Sequence, residues 1–246
     1  MTPRQLALPL GFPPFYAADA VIAAPSNEAA LAWLDRTGDW PDGRLALWGD
    51  AGVGKTHLLH RWQARQRAIL LPALSLPLLP CCDGRAGGIA IDDADLADEE
   101  RLLHLLNASG AARVPVLLAS RAPPARWCAC LPDLASRLRA ITAVPIPPPE
   151  EVLLRALLTR LLAARKLVVA EPVQDWLLAR LPRTAAAMRE AAARLDRLAY
   201  QVQRPVSRAM AAAVLADLPG DAEPVGGDEV IASAAASGVT GAPALL

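Results

Sequence analysis

The stretch Gly49-Asp-Ala-Gly-Val-Gly-Lys-Thr-His57 decides how this chain is read. Gly49, Gly54, Lys55 and Thr56 satisfy the G-x-x-x-x-G-K-[ST] phosphate loop, where glycines permit a tight turn that aims successive backbone N–H groups inward. The apolar run Arg44 to Trp48 ahead of it predicts a buried strand, and Leu58 to Gln66 behind it predicts a helix. In that setting the helix N-terminus adds partial positive charge, Lys55 supplies an ammonium to the β and γ phosphates, and Thr56 offers a hydroxyl to Mg²⁺. The competing reading is a Gly-rich turn before a helix. Lysine occurs only at Lys55 and Lys166, so its presence in the motif carries information, and the chain is expected to bind a nucleoside di- or triphosphate.

Working outward, Gly88 to Asp93 (Gly-Ile-Ala-Ile-Asp-Asp) predicts a buried strand ending in two carboxylates. After a phosphate loop such a pair sets Asp92 near the Mg²⁺ shell and Asp93 where it can orient an attacking water. Asp95, Asp98, Glu99 and Glu100 continue the acidic run and read as a solvated helix start. A helix is expected over Asp98 to Ser109 and a strand over Val114 to Ala119. That strand places Ser120 and Arg121 at the edge of the sheet where doubly wound folds bind ligands. Leu131 to Leu138 reads as a short helix and Ile141 to Ile146 as a final strand.

Before the loop, the segment Tyr16 to Asn27 leads into a helix over Glu28 to Arg36, with Ser26 or Asn27 as its N-cap. After Pro147 to Pro149 only helical periodicity remains, over Glu150 to Arg165, Glu171 to Leu181, Thr184 to Tyr200 and Val206 to Leu218. The expected fold class is α/β, a parallel sheet domain followed by a small all-α lid. The expected divisions are a tail over residues 1–11, a nucleotide-binding domain over 12–147, a lid over 148–218 and a disordered tail over 219–246.

The 246 residues carry 25 Lys and Arg against 25 Asp and Glu, a formal charge of +0. No global field draws such a chain onto nucleic acid or an anionic membrane. Cys81, Cys82, Cys128 and Cys130 lack zinc spacing and read as reduced thiols. No secretory or membrane-spanning segment is apparent, so the expectation is a cytoplasmic protein. Gln5 to Leu10 puts Leu6, Leu8 and Leu10 at alternating positions of an extended segment beside Gln5. Two readings stand: a peptide seated in a partner's groove, or a tail packed on its own domain.

The phosphate loop, paired Asp, polar strand end and helical appendix together resemble AAA+ proteins. Gly54 to His60 (Gly-Lys-Thr-His-Leu-Leu-His) and Tyr16 to Asn27 resemble the replication initiator DnaA. Gln5 to Leu10 and Leu131 to Leu138 resemble its regulator family, the Hda type. The resemblance implies an adenine site near Val21 to Ala23, centred on Ile22. It implies phosphate and Mg²⁺ contacts from Ala51, Gly52, Val53, Gly54, Lys55, Thr56 and His57, and Asp92 and Asp93 as the acidic pair. Ser120 falls at the first sensor and Arg189 at the second, with Arg194 and Arg197 as alternatives on the same helix. Arg137 matches the arginine finger offered to a neighbouring subunit's nucleotide; its other reading is a surface Arg paired with Asp133. Gln5, Leu6, Leu8 and Leu10 match a peptide for the DNA polymerase III sliding clamp (beta subunit). Arg121 departs from the Asp that follows the first-sensor Ser in DnaA, and Ala24 from the Gly of the adenine segment.

The function so implied is negative regulation of replication initiation. A chain holding ADP or ATP with Mg²⁺ would promote hydrolysis of ATP on DnaA, with weak turnover of its own at most. No direct sequence-specific DNA binding and no domain for it after residue 218 are expected, and a homo-oligomer is left open. The alternatives are a self-contained ATPase of helicase-loader type and a DnaA-like initiator.

Overall fold

The computed structural model describes residues 21–77, 86–202 and 206–216. The expected clamp-binding residues Gln5, Leu6, Leu8 and Leu10, the expected C-terminal tail, and Cys81 and Cys82 lie outside the described residues.

Strand β1 (Arg44–Trp48) carries the phosphate loop at its C-terminal end. It is flanked by β4 (Val116–Ser120) and β5 (Thr142–Pro145), with β3 (Ile89–Asp92) and β2 (Ile69–Pro72) beyond β4. The order β2-β3-β4-β1-β5 is parallel throughout, with Leu45 opposite both Leu117 and Thr142. Parallel strands covered on both faces read as continuous apolar runs, which is why Leu-Ala-Leu in β1 shows no polar alternation.

The period of two still sorts those side chains. Leu45, Leu47, Ala90, Leu117 and Ala119 face α1 (Pro25–Leu34) and α2 (Lys55–Gln66), where Trp62 is stacked on Trp40 at 5.3 Å between ring centroids. Ala46, Ile89, Ile91, Val116 and Leu118 face α3 (Glu99–Ala112) and α4 (Pro132–Ala140), packing on Leu102, Leu105, Leu106, Leu134 and Leu138. A separate core joins α5 (Glu151–Ala164), α6 (Glu171–Leu178), α7 (Ala185–Val202) and α8 (Arg208–Ala216). There Leu154, Leu158 and Leu162, one helical turn apart, meet Met188, Ala191, Ala192 and Leu195.

The first helix begins earlier than its sequence suggests. Pro25, with φ already suited to a helix, takes the first helical position, and Ala24 is the N-cap. Asn27 sits three residues on and reaches back, its Oδ1 accepting from the Ala24 amide at 3.0 Å and its Nδ2 donating to Ile22 O at 2.9 Å. Ser26 is not a cap either. Its hydroxyl donates to Glu150 Oε2 at 2.8 Å, tying α1 to the residue that precedes the lid helix α5.

Candidate functional site

Glycine geometry sets the phosphate loop in place. Gly49 has φ +155°, and a Cβ there would lie 2.4 Å from Ile146 O, so the loop leaves β1 hard against the end of β5. Gly52 has φ +82°, and its Cβ would lie 2.9 Å from Thr184 Cβ. Only a residue without a side chain lets the loop pass that close to the lid. The Ala185 amide donates to Gly52 O at 3.3 Å, and Thr184 Oγ1 accepts from the Ala187 amide at 3.1 Å, so α7 is capped where it meets the loop.

Lys55 is buried at the start of α2, its Nζ donating to Gly49 O at 2.7 Å and Asp50 O at 2.8 Å. Burial lowers its pKa from the usual lysine range, while the charges of Asp93 and Asp92 oppose that shift. Thr56 Oγ1 donates to Asp92 Oδ2 at 2.8 Å. Two hard oxygens held together at the mouth of the loop are donors that suit Mg²⁺. Asp93 takes a left-handed backbone at φ 49°, which turns the chain out of β3. Partial burial, then the charges of Asp92 and Asp95, raise its pKa, with Lys55 acting in the opposite sense.

The other expected residues occupy mixed positions. Ile22 is half-buried beside α1, with Val21 against the core; Ala51 is exposed, Val53 packs on the core, and His57 is half-buried in the first turn of α2. Ser120 is fully buried opposite Trp48, its carbonyl accepting from the Gly49 amide at 3.2 Å. Its hydroxyl donates to Ala122 O at 2.8 Å, so this side chain shapes the turn after β4. On α7, Glu190 accepts from Arg194 at 2.6 Å and from Arg197 at 3.4 Å. Arg189 has no ion pair among the described residues and sits about one turn from the helix start that touches Gly52.

Arg137 lies elsewhere. It is near the C-terminal end of α4, beside Gly43 and Arg44 at the opening of β1, a full strand from the loop that leaves the other end. Five residues of strand span about 16 Å, beyond the reach of an Arg side chain. It is paired with Asp133 at 3.2 Å, the arrangement expected of a helical i,i+4 neighbour.

The acidic run is more than a solvated helix start. Asp98 caps α3 by accepting from the Arg101 amide at 3.0 Å. Glu99 accepts from the amides of Cys130 and Leu131, both at 2.9 Å, and those bonds hold its pKa below the usual range. Asp95 Oδ2 accepts from the Arg121 amide at 3.3 Å, while its Oδ1 is buried without a partner beside the acidic pair. The Asp98 cap is local and fits the expected helix start, but no local pattern marked the roles of Glu99 and Asp95, whose partners lie 26 to 32 residues away.

No family model matches the chain. It is 25% identical over 252 residues to the chromosomal replication initiator protein DnaA of Cutibacterium acnes, covering 90% of this chain and 50% of that one. The chain thus spans about half the length of the curated relative it matches. Among solved structures, domain III of the Thermotoga maritima replication initiation protein DnaA superposes with a TM-score of 0.68 at 17% identity, over 83% of this chain and 97% of that one. The fold is that of a DnaA-like AAA+ domain. AMPPCP-bound DnaA from Aquifex aeolicus also matches, with a TM-score of 0.61 at 16% identity over 78% of this chain and 68% of that one. This DnaA-like AAA+ fold accounts for the strand order, for the loop at the end of the central strand, and for the helical unit that touches it through Thr184. Among the described residues no helix is long and apolar enough to cross a membrane.

Proposed function

We propose that this chain is a cytoplasmic, nucleotide-bound AAA+ regulator of Hda type that promotes hydrolysis of ATP held by DnaA. ADP or ATP lies on Gly52, Gly54, Lys55 and Thr56, with Mg²⁺ between Thr56 and Asp92. The adenine rests near Ile22, and Arg189 reaches the phosphates from the lid. Gln5, Leu6, Leu8 and Leu10 tether the chain to the DNA polymerase sliding clamp. The bound nucleotide holds sheet domain and lid at a set angle, so that Arg137 is presented outward.

The observation that supports this reading is the position of Arg137. A guanidinium one strand-length from its own phosphate loop cannot serve its own nucleotide, yet stands at an edge where a docked neighbour could receive it. An arginine given in trans neutralises charge on the transferred phosphoryl group and is worth about 10³ to 10⁵ in rate. The test is phosphate release from ATP-loaded DnaA, with and without this protein and with and without clamp on DNA. Clamp-dependent stimulation that Arg137→Ala removes supports the reading. Full stimulation by Arg137→Ala sinks the finger.

A second reading, a self-contained ATPase or DnaA-like initiator, is favoured by the Thr56, Asp92 and Asp93 arrangement, which has the parts for hydrolysis in cis. It expects steady ATP turnover that Asp93→Asn abolishes.

A further inference from the structure

At the edge of the sheet opposite the phosphate loop lies a cavity of about 460 Å³ lined by Asp42, Gly43, Arg44, Ser109, Gly110, Arg113, Val114 and Arg137. It sits between the opening of β1, the end of α3 and α4. Three of its eight lining residues are arginines and one is an acid. Arg44 opens an otherwise apolar strand and is only 9% exposed. Its Nη2 donates to Leu106 O at 2.8 Å, but its Nε is buried with no hydrogen-bond partner. Arg137 Nε is also buried and makes no hydrogen bond, although Asp133 lies within ion-pair distance at 3.2 Å. Arg113 ends α3 with a left-handed backbone and has no ion pair among the described residues.

Two of the residues lining the cavity each bury a guanidinium N–H that has no hydrogen-bond partner, which is costly because a buried unpaired donor forfeits its hydration. The like charge of Arg137 adds to burial in lowering the pKa of Arg44, with Asp42 opposing. Asp42, Asp133 against Arg137, and the carbonyl end of α3 offset part of the positive charge, leaving three arginines against two carboxylates. No aromatic ring lines the cavity, so nothing there would stack on a base. A multidentate oxyanion is the chemistry that answers three clustered guanidiniums.

We infer that Arg44, Arg113 and Arg137 form a second phosphate-class anion site, separate from the phosphate loop. The phosphate has two sources: a small phosphate ester or pyrophosphate from solution, or the phosphates of nucleotide held by a docked neighbour. The second source rests on the trans-finger reading and extends it, making Arg44 and Arg113 positioning residues that gather the anion toward Arg137.

The test titrates pyrophosphate calorimetrically into the full chain saturated with Mg²⁺ and ADP, so that the phosphate loop is already filled. One site is expected, weakened roughly tenfold or more by Arg113→Glu and tightened by Asp42→Asn. ADP affinity should stay unchanged in both variants. Arg113 is exposed and lines the cavity at the end of the sheet opposite the phosphate loop, so its substitution reports on the cavity and not on the loop. Absence of pyrophosphate binding, together with loss of DnaA-directed stimulation in Arg113→Glu, assigns the phosphate to the neighbour's nucleotide. If Arg113→Glu changes neither pyrophosphate binding nor stimulation, the site is refuted, even where Arg137→Ala still abolishes stimulation. If wild type stimulates nothing, the regulator reading falls, and the pyrophosphate titration decides the site by itself.

Discussion

Replacing Gly49 with Ala tests whether the phosphate loop is held by its crossing of β5. The new Cβ would sit 2.4 Å from Ile146 O, where ordinary contacts begin near 3.4 Å. Neither backbone can retreat easily. The Gly49 amide donates to Ser120 O at 3.2 Å, and the Ile146 amide donates to Trp48 O at 2.7 Å, so relief breaks one strand end or the other. Overpacking costs about 1–3 kcal/mol, and a side chain held at φ +155° adds about 1–2 kcal/mol of backbone strain. The sum, about 2–5 kcal/mol, should lower Tm by roughly 4–20 °C in a chain of this size. Gly38→Ala is the control, because a Cβ there meets nothing within 4 Å. The assay is thermal unfolding of both variants beside ADP titration of the folded protein. Gly49→Ala should lose stability and nucleotide affinity together, since Lys55 Nζ is seated on the Gly49 carbonyl. Equal Tm values for the two variants would refute the crossing argument.

Other outcomes follow from the same geometry. Lys55→Ala should weaken ADP binding at least tenfold and abolish stimulation of DnaA although Arg137 remains; retained stimulation would argue against a structural role for the nucleotide. Arg189→Ala should lower nucleotide affinity, whereas Arg194→Ala, whose partner is Glu190, should leave it nearly unchanged in the same titration; the reverse result would reassign the second sensor. The Glu99 pKa is held below its ordinary value of 4.5 by two backbone amides, so its stabilising effect is complete above that value and fades as pH falls through the folded-state pKa. Glu99→Gln should therefore flatten the acid limb of the stability curve below about pH 4.5, measured by denaturant titration.

Most of the sheet domain was legible in the chain. Glycines, apolar runs and helical periods are local, so strand, loop and helix around Gly49 to His57 could be read directly, as could the acids ending β3. The strand limits moved by a residue or two, and α1 began at Pro25 because Asn27 caps from inside the helix. The four arginine candidates were legible as residue types, but not in their surroundings.

By itself the sequence determined that a phosphate loop follows a buried strand, that two acids close a later one, and that helices follow the Pro147 to Pro149 break. Those features depend on neighbours a few residues apart. Only the tertiary structure decided that Thr184 abuts Gly52 and that Arg137 faces away from its own phosphate loop. It also decided that Arg44 reaches Leu106 across 62 residues of chain and shares a cavity with Arg113 and Arg137. Such contacts depend on how helices pack across a sheet, and that packing leaves no periodic trace in the residues it brings together.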